Sequence, residues 1–595
     1  MEKWFVQNKK ADFAGIADTL HCSQVLARIL RNRDLLETEE MEVFLHGGLE
    51  NLHSPWLLHG MESAVTRIML AIQNQEPIRV MGDYDVDGIC STYILKTGFE
   101  TLGAVVDCVI PHRIHDGYGL NENMIREASQ ANVKLIVTCD NGISADGPIE
   151  LAGQLGMEVI VTDHHEVPYC IEGGQKKELL PKAYAIVDPK QEADEYPFPG
   201  ICGAVVAYKL ISALFETCKQ KDADYYETHQ LEMILDALLE PAALATVCDV
   251  MELVGENRLL VKEGIKRMKN PSNLGLKCLM EVNGIQPDKV KAFHFGFVLG
   301  PCLNATGRLD SADKALELLC QTDTKEAMEL AIWLKELNDS RKNKTLEGEK
   351  QAIAYLTEHK LEQDKVLVIY LEEVHESLAG IIAGRIRERY SKPTFVLTRA
   401  EEGAKGSGRS IETYHMYESL VEVGHLLTKF GGHKLAAGLS LPISNIDAFR
   451  DALNRNCTLG EADFYEKVSI DAVMPMAYGS LELARELEAL EPFGVGNPKP
   501  LFAEKDACIV GAKRMGKQGN MLKLRVKTGF GGYEELVYFG NGDAFLECFR
   551  SKYGESAVQE LFAGEAHYPM SVAYSIGVNS YMGKESKQNE MKYYL

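Results

Sequence analysis

The sequence has 595 residues, too many for one compact core, and at about 100–200 residues per domain it predicts three to five domains. Hydrophobic residues make up 46% and charged residues 25% of the chain, which excludes collagen-like and wholly disordered proteins. The formal net charge of −24 argues against a protein that coats nucleic acid through bulk electrostatics, so any nucleic-acid site must be locally basic or bridged by metal ions.

The chain carries no sign of export or membrane insertion. Its first residues, MEKWFVQNKKADF, lack the apolar run of a signal peptide, and no stretch reaches the roughly 18–20 uncharged apolar residues that span a bilayer. The 14 cysteines are scattered without a CxxC pair, which favours free thiols over a disulfide framework or a zinc site. We therefore expect a reduced, cytoplasmic protein without a membrane partner. We also expect the protein to be a monomer.

From about residue 76 to 215, short β-branched runs alternate with stretches of helical apolar spacing. Strands are predicted at residues 78–81, 105–110, 134–138, 159–162 and 185–187. Helices are predicted at residues 91–102, 121–131 and 149–155. This alternation predicts an α/β fold with a doubly wound parallel sheet covered on both faces. In such sheets, ligands bind beyond the carboxyl ends of the strands.

The rest of the chain divides into three further patterns. A mostly helical region covers residues 200–320, and its apolar stretch 233–250 reads as buried core near a site. The charged segment Thr324 to Glu358 predicts a long connecting helix. A second α/β pattern begins at 366, with a helix at 379–389, a strand at 394–397 and glycine-rich turns at 406–410 and 431–433. After Asn456, short strands at 468–470, 508–510, 522–526, 535–539 and 571–576 predict a small β-barrel.

Three aspartates follow the first predicted strand at alternate positions. Asp83, Asp85 and Asp87 therefore share one side of an extended segment, and Gly88 lets the chain turn into a helix. Carboxylates this close repel one another unless a cation neutralises them, although the same spacing also fits a solvated acidic loop. A calcium loop is excluded, because it requires a preceding helix and a Glu where this sequence has Ile94.

Acidic residues and histidines also follow the later strands of this sheet. Asp140 follows one strand, and Asp163, His164 and His165 follow the next, so we expect them to converge on the first acidic cluster. A lone histidine is usually a core residue, but one directly after an aspartate at a strand end is more often a ligand. Oxygen ligands with one imidazole suit two Mn²⁺ ions, with Mg²⁺ as a substitute, in a phosphate-hydrolysis centre.

The motifs GDYDVDG, CDNG, TDHH and ATVCDV together resemble the DHH phosphoesterase superfamily. The resemblance implies six metal ligands, namely Asp83, Asp85, Asp87, Asp140, His164 and Asp249. By this resemblance Asp85 and Asp87 each hold one ion and Asp140 bridges the pair. His164 and Asp249 complete the shell of the second ion, and Asp83 supports the first. His165 is then a phosphate contact or proton donor, and Asp163 orients the loop.

Two further segments narrow the resemblance to the RecJ family. They are Pro111-His112-Arg113 with Asp116-Gly117-Tyr118-Gly119-Leu120, and the run from Leu303 to Leu309. The resemblance implies that Arg113 and Arg308 grip the scissile phosphate, a task that suits the guanidinium fork. Any single arginine is more commonly a surface charge or part of a salt bridge.

The second α/β region resembles the DHH-associated domain, and the barrel resembles the OB-fold of the same family. Glycine-rich segments let backbone N–H groups approach phosphates, and the resemblance implies substrate binding by Ser407, Arg409, Gly431, Gly432 and His433. The barrel carries a basic run in which Lys523 is a candidate DNA contact, formed by Lys513, Arg514, Lys517, Lys523, Arg525 and Lys527. Arg385, Arg387 and Arg389 form a second basic face, although charge runs are usually solvated surface. Two departures from the family pattern are Met521 in place of a histidine and the absence of a convincing closing strand over Ser586 to Leu595.

The resemblance covers essentially the whole chain and implies four parts. These are a DHH catalytic domain with a helical extension (1–320), a connecting helix (321–360), the DHH-associated domain (361–458) and an OB-fold domain (459–595). The implied function is a single-stranded-DNA-specific 5′→3′ exonuclease that releases 5′ mononucleotides by a two-metal mechanism in DNA repair and recombination. The implied partners are single-stranded DNA, a RecQ-type helicase and a single-strand-binding protein.

Two other functions compete with this hypothesis. Small-substrate DHH enzymes act on short oligonucleotides, cyclic dinucleotides or pyrophosphate, but they resemble only the first two lobes and typically lack a barrel. A catalytically silent relative serving as a scaffold is free to lose its metal carboxylates, whereas every ligand position here carries a ligand-type residue.

Overall fold

The pattern of β-branched runs and helical stretches produces an α/β protein with a barrel, described by a computed structural model over residues 2–113, 119–400, 402–516, 519–529, 532–581 and 583–595. The strands are β1 (Glu2–Val6), β2 (Ile78–Met81), β3 (Val106–Val109), β4 (Leu135–Cys139), β5 (Glu158–Thr162), β6 (Tyr169–Glu172), β7 (Gln175–Glu178), β8 (Ala185–Val187), β9 (Leu367–Leu371), β10 (Thr394–Arg399), β11 (Ala404–Arg409), β12 (Lys429–Gly432), β13 (Ala436–Leu441), β14 (Glu466–Ile470), β15 (Ala472–Val473), β16 (Phe502–Met515), β17 (Met521–Lys527), β18 (Tyr533–Tyr538), β19 (Tyr568–Tyr581) and β20 (Lys584–Tyr594).

The α-helices are α1 (Phe13–Leu20), α2 (Gln24–Asn32), α3 (Thr38–His46), α4 (Met61–Gln73), α5 (Val86–Thr101), α6 (Glu122–Gln130), α7 (Asp146–Gln154), α8 (Gly203–Lys221), α9 (Ala223–Thr228), α10 (Leu231–Cys248), α11 (Gly255–Arg267), α12 (Leu274–Val282), α13 (Ala292–His294), α14 (Gly300–Leu309), α15 (Asp313–Cys320), α16 (Thr324–Glu358), α17 (Ala379–Tyr390), α18 (Met416–Glu422), α19 (Ile446–Asn456), α20 (Leu481–Glu488), α21 (Gly542–Tyr553) and α22 (Glu555–Ala563). Across the described ranges, no helix is both long and apolar enough to cross a bilayer.

The first lobe is built on the parallel sheet that the sequence predicts, with strand order β3-β2-β4-β5-β8. Successive residues of each strand pack into two different cores. Val80 and Val137 face the large core formed with α5, α8 and α10, whereas Met81 and Ile136 face a smaller core on the opposite side. Because both faces are covered, the strands are almost continuously apolar, and the polar residues are displaced to the strand ends.

A single helix joins the two lobes, with the bounds that its charge pattern predicts. At 1.5 Å per residue, the 35 residues of α16 extend for about 50 Å. Ala327 and Leu334 pack into the core of the first lobe, whereas Ala352 and Leu356 pack into a cluster of the second. The helix therefore ties the two lobes together through buried apolar contacts at both of its ends.

The second lobe corrects one feature of the sequence prediction. Its sheet has the order β12-β13-β11-β10-β9, and the two segments predicted as glycine-rich turns form strands β11 and β12. The glycines there provide space: a Cβ on Gly406 would lie 2.6 Å from the carbonyl oxygen of Val396, and one on Gly408 would lie 2.6 Å from the Phe395 ring. Close strand packing, rather than chain reversal, explains the glycines.

The last lobe is a closed five-stranded barrel, in which β16-β17-β18-β20-β19 form a ring and β19 pairs back onto β16. The expectation that Ser586 to Leu595 fail to supply a closing strand is wrong, because these residues belong to β20 and pair with β19 from Tyr581–Lys584 to Val572–Tyr594. Only alternate side chains such as Asn589 and Met591 are buried, at 2% exposure each, so the strand is polar on its outer face.

The N-terminal helices pack on the barrel, an association that no local pattern in the sequence indicates. Leu30 and Phe44 share a hydrophobic cluster with Phe502 and Tyr574 of the barrel strands. Strand β1 pairs in parallel with β14, which precedes the barrel strands in the chain.

Arg258 of α11 lies where the first lobe, the N-terminal helices and the barrel meet. Its side chain is 1% exposed and donates hydrogen bonds to the carbonyl oxygens of Phe44, Leu490 and Ala489, at 2.8, 2.7 and 2.9 Å. The guanidinium also stacks on the Phe44 ring, 3.8 Å from its centroid. One buried cation thus satisfies three carbonyl groups from two other parts of the chain.

We predict that Arg258→Ala lowers the free energy of unfolding by about 3 kcal/mol, because three buried carbonyl groups lose their donors. Thermal and urea unfolding of the full chain measure the loss. Arg126→Ala serves as the control, since Arg126 is exposed and pairs with Glu122 one turn away, and its removal changes stability by less than about 0.5 kcal/mol. Equal effects of the two variants would contradict the assigned role.

Candidate metal centre

The carboxyl ends of four parallel strands each deliver an aspartate to the same edge of the first sheet. The strands end in register, with Met81 beside Thr138, Thr138 beside Val161 and Thr162 beside Val187. The aspartates that follow β2, β4, β5 and β8 are Asp83, Asp140, Asp163 and Asp188, exposed by 2%, 3%, 1% and 0%. The predicted convergence of the strand-end residues is confirmed.

Local sequence shapes the turn after β2. Asp85 is the N-cap of α5 and accepts hydrogen bonds from the backbone N–H groups of Asp87 and Gly88, at 2.9 and 3.1 Å. A Cβ on Gly88 would overlap the carbonyl group of Asp83, so the turn requires glycine at this position. Carboxylate oxygens of Asp83, Asp85 and Asp140 lie within 4.8 Å of one another, which makes a first group of possible metal ligands.

A second group combines residues that lie far apart in the sequence. Ligand atoms of Asp87, His164 and Asp249 also lie within 4.8 Å of one another, and Asp249 reaches the site as the C-cap residue of α10. The His164 Nε2 atom lies 3.5 Å from Asp87 Oδ2, 3.7 Å from Asp249 Oδ2 and 3.1 Å from Asp140 Oδ1. Asp140 therefore lies between the two groups, where a bridging carboxylate is expected.

The start of α8 holds Asp87 in place, a feature that the sequence analysis missed. The backbone N–H groups of Gly203 and Ala204 donate to its two carboxylate oxygens at 2.7 and 2.8 Å. Gly203 is needed for this approach, since a Cβ there would lie 2.8 Å from the Cβ of Asp140. The small residues of the segment Gly200-Ile201-Cys202-Gly203 were the available signal. Each oxygen keeps a lone pair that can bind a cation.

Burial and mutual repulsion dominate the electrostatics of the site. Burial and the nearby Asp85 raise the pKa of Asp83 to about 7, and burial with Asp87 and Asp85 raises the pKa of Asp249 to about 8. Burial also raises the pKa of Asp140, and burial lowers the pKa of His164, which favours the neutral imidazole that binds metals.

These properties fit divalent cations. The Oδ1 atom of Asp83 is buried and has no hydrogen-bond donor among the described residues. Five carboxylates and one imidazole are a donor set that suits Mn²⁺ or Mg²⁺ better than zinc or copper. The structure therefore brings together all six residues predicted as ligands, while the number of ions and the sharing of ligands between them stay predictions.

Asp163 and His165 form a hydrogen-bonded pair beside this cluster. The Asp163 carboxylate accepts from His165 Nδ1 at 2.7 Å and from the backbone N–H groups of Ile143 and His164 at 3.0 and 2.8 Å. Although burial opposes the charged ring, the hydrogen bond to Asp163 raises the pKa of His165 to about 9. His165 is thus protonated at neutral pH and lies 3.9 Å from Asp140 Oδ1.

Arginines from separate elements gather on the other side of the turn after β2. The Arg113 guanidinium stacks on the Tyr84 ring at 4.1 Å, and Arg308 of α14 donates to the carbonyl oxygen of Ser377 in the second lobe at 3.0 Å. Burial, followed by the charges of Arg113, Arg341 and Arg409, lowers the pKa of Arg308 to about 10. Burial also lowers the pKa of Arg341, on the connecting helix, which the sequence analysis did not select.

The substrate-binding residues predicted in the second lobe lie in two places. Arg409 points along β11, where its Nη1 atom donates to Ser407 Oγ at 2.9 Å and to the Gly408 carbonyl at 2.8 Å, next to the arginine group. Gly431 and Gly432 pair with Gly438 and Ala437 at the exposed end of β12, followed by the exposed His433.

Acidic side chains that are not adjacent in the sequence neutralise part of the basic run of the barrel. Lys523 pairs with Glu535 on the neighbouring strand at 2.6 Å, and Arg514 pairs with Asp543 at 2.6 Å. The Arg525 guanidinium stacks on the Tyr533 ring, 3.8 Å from its centroid. The predicted residues Asp116, Gly117, Tyr118 and Lys517 lie outside the described residues.

We predict that the metal-free protein becomes less stable as the pH rises. The pKa values of Asp83 and Asp249, about 7 and about 8, lie above the ordinary value of 3.8. The folded state therefore binds more protons, so this stabilisation is complete below pH 3.8 and is lost as the pH passes through about 7 to 8. His165, with a pKa raised to about 9, acts in the same direction.

The measurement is the melting temperature in EDTA at about pH 6 and about pH 8.5, where we expect the lower value at the higher pH. Asp140→Asn removes one buried group that repels its neighbours when it ionises, so it is expected to raise the melting temperature and reduce its pH dependence. An increase in melting temperature with pH, or destabilisation by Asp140→Asn, would contradict the electrostatic account.

Comparisons with known proteins agree with this architecture. Sequence profiles match in three places: the DHH family, N-terminal domain at residues 77–246, the DHHA1 domain at residues 363–458 and the RecJ OB domain at residues 470–593. The single-stranded-DNA-specific exonuclease RecJ of Salmonella typhimurium is 35% identical over 493 residues, which cover 80% of this chain and 82% of that protein.

The protein of the same name from Bacillus subtilis is 34% identical over 531 residues, covering 88% of this chain. This chain spans 64% of that longer relative. The crystal structure of RecJ in complex with Mn²⁺ from Thermus thermophilus superimposes with a TM-score of 0.79 at 28% identity, over 100% of this chain and 79% of that one.

A related structure of the Thermus protein contains Mg²⁺ and gives a TM-score of 0.73 at 27% identity. The three matching domains follow one another in the order that the fold shows, and the strand-end cluster lies in the first of them. The chain belongs to the RecJ family of DHH-domain proteins.

Proposed function

We propose that this protein is a metal-dependent exonuclease that hydrolyses phosphodiester bonds of single-stranded DNA. The observation that carries the proposal is the convergence of six ligand-type side chains beside a group of half-buried arginines. The names of the relatives, single-stranded-DNA-specific exonucleases, support the substrate. The 5′→3′ direction, the release of 5′ mononucleotides and a role in DNA repair and recombination follow from the family resemblance.

In the proposed mechanism, Asp85 and Asp87 would each hold one divalent ion and Asp140 would be shared by the pair. Asp83 would support the first ion, and His164 and Asp249 would complete the ligands of the second. When bound, two Mn²⁺ or Mg²⁺ ions supply a water of lowered pKa and positive charge at the scissile phosphate. The carboxylates are anchored before substrate arrives, since Asp85 and Asp87 already accept backbone hydrogen bonds. Little rearrangement is then needed at the reacting centre.

The remaining side chains have complementary tasks. Arg113 and Arg308 grip the scissile phosphate, where a guanidinium fork binds two oxygens at once. His165, whose pKa is raised in the metal-free protein and whose ring is oriented by Asp163, donates a hydrogen bond or a proton to the phosphate oxygens. Arg409, supported by Ser407, binds the end of the strand from the second lobe, with His433, Gly431, Gly432 and the barrel residue Lys523 as further proposed DNA contacts.

The two competing functions lose support for different reasons. The last lobe matches the RecJ OB domain, a fold that binds single strands. An enzyme specific for small substrates does not require such a domain. A silent scaffold gains nothing from a cluster of carboxylates whose pKa values are raised by burial and by their mutual repulsion. A RecQ-type helicase and a single-strand-binding protein are proposed as partners from the resemblance alone.

We expect Mn²⁺-dependent release of mononucleotides from the 5′ end of single-stranded DNA. Substrates labelled at the 5′ or the 3′ end, single-stranded or with blunt duplex ends, identify the direction and the strand preference. Release from the 3′ end, or equal attack on duplex ends, would overturn the assigned polarity or specificity. The absence of turnover with intact strand binding would favour the scaffold.

Asp140→Asn is expected to reduce kcat by a factor of at least about 10³, because it removes the carboxylate shared by both ligand groups. The dissociation constant for single-stranded DNA, measured by fluorescence anisotropy in EDTA, is expected to stay within about threefold of the wild-type value, because the arginines are retained. Activity close to that of the wild-type protein would exclude Asp140 from the metal centre.

Arg341 is proposed as an additional phosphate contact. Its charge acts on Arg308, so the two side chains lie near each other. It is half-buried, and the hydrogen bond described for it, from Nε to Asn338 Oδ1 at 3.0 Å, involves a neutral amide and leaves its charge uncompensated. Arg341→Gln is expected to raise KM by about 10-fold or more, with a smaller change in kcat. This is the loss of affinity expected when one charged hydrogen bond to a phosphate is removed. Lys335→Gln removes an exposed charge from the same helix and serves as the matched control. Equal KM values for the two variants would exclude the contact.

A further inference from the structure

Asp249 is followed by a residue in a strained backbone conformation. Val250 has a φ of +60°, in the left-handed region that β-branched residues rarely adopt. Its side chain is 65% exposed, so its own packing does little to hold this conformation. Such strain persists only where the surrounding structure fixes the chain. The segment Val250–Val254, here called the Asp249 loop, therefore needs an external support.

The support comes from the segment that leads into the barrel, Pro492–Asn497, here called the barrel linker. The backbone N–H of Leu253 donates to the carbonyl oxygen of Val495 at 2.7 Å. A Cβ on Gly494 would lie 2.7 Å from Leu253 Cδ1, and one on Gly496 would lie 3.1 Å from Glu252 Cβ. The linker thus lies directly on the Asp249 loop, and its two glycines permit the close approach.

The barrel linker is itself held rigidly. Asn497 is 0% exposed, and its side-chain amide donates to the carbonyl oxygens of Leu490 and Pro492 at 2.7 and 2.9 Å. Arg33 of the N-terminal helices donates to Asn497 Oδ1 at 3.1 Å. The backbone groups of Gly494 and Asn497 also hydrogen-bond to each other. The linker can therefore impose its position on the Asp249 loop.

A buried amide carries this support to the opposite side of the metal centre. The Asn257 side chain, 0% exposed, donates to the carbonyl oxygen of Glu252 at 3.1 Å and to that of Gly200 at 2.7 Å. Three residues after Gly200, the N–H of Gly203 binds the Asp87 carboxylate. The segments that place Asp249 and Asp87 are thus joined through one side chain.

We propose that the barrel linker is a positioning element for the metal centre: by holding the Asp249 loop through Val495 and Gly496, it sets the affinity of the site for divalent cations. Gly496 and Asn497 are positioning residues, since they supply no ligand atom and act through the Asp249 loop. This inference rests on the proposed function, in which Asp249 is a ligand. Supporting residues of this kind typically change metal affinity by 10- to 100-fold when altered.

The test is Mn²⁺ binding by the full-length variant Gly496→Ala. Gly496 has a φ of +73°, and the added methyl group presses on Glu252. The matched control is Gly564→Ala in the barrel lobe, at a φ of +79° with nothing within 4 Å of the added Cβ, so it carries the same backbone strain without the contact. Free Mn²⁺ is measured by electron paramagnetic resonance in the absence of DNA.

We expect Gly496→Ala to raise the dissociation constant for Mn²⁺ by about tenfold, with kcat restored to within about twofold at saturating Mn²⁺. Gly564→Ala is expected to bind Mn²⁺ like the wild-type protein. Its melting temperature in EDTA is expected to be close to that of Gly496→Ala, because the two variants carry similar backbone strain. If Gly496→Ala fails to fold, Asn497→Ser, which shortens the side chain that shapes the linker, is expected to weaken Mn²⁺ binding in the same way.

Equal Mn²⁺ affinities for the wild-type protein and the linker variant would overturn the inference. Equal weakening in Gly496→Ala and Gly564→Ala would also overturn it, since backbone strain alone then explains the loss. A wild-type protein that binds no Mn²⁺ would instead refute the proposed function, so the two failures are distinguishable.

Discussion

The repulsion among buried carboxylates is the constraint around which this structure is arranged. Asp83, Asp87 and Asp140 are almost fully buried, and the pKa values of all three are raised because there is too little solvent to screen their charges. A chain that keeps such a cluster must fix it with backbone hydrogen bonds and supply counter-charge. The N-terminus of α8, the turn that begins α5 and the ion pair of Asp163 with His165 all contribute to this fixation.

The neighbouring group of arginines has like charges of the opposite sign. The charges of Arg113 and Arg409 act on Arg308, and the hydrogen bonds described for Arg308 and Arg409 are to carbonyl and hydroxyl oxygens. An anion bound between the two groups would relieve the repulsion among the arginines. Bound cations would relieve the repulsion among the carboxylates. Local charge separation of this kind reconciles a net charge of −24 with the polyanionic substrate proposed above.

Sequence reasoning succeeded where local signals and tertiary structure agree. The charge pattern predicts α16 at about the bounds it has, because a long charged segment without proline favours a helix, and the ligand-type residues are predicted because parallel sheets bring their strand ends together. Sequence reasoning failed where the role of a residue depends on side chains that are distant in the sequence. The glycines of β11 accommodate Phe395 and Val396, β20 is polar because one face is solvated, and Gly203 and Asn257 act on residues about 50 to 120 positions away.

The shared core of the N-terminal helices and the barrel has a consequence for the order of folding. Leu30 and Phe44 are buried against Phe502 and Tyr574, more than 450 residues later in the chain. During synthesis these helices emerge early and must wait, with their apolar faces uncovered, until the barrel strands leave the ribosome. Contacts this distant in sequence form slowly, and waiting segments are prone to aggregate. The helices over residues 13–46 are therefore made well before the barrel strands that cover them and are among the last elements to be completed.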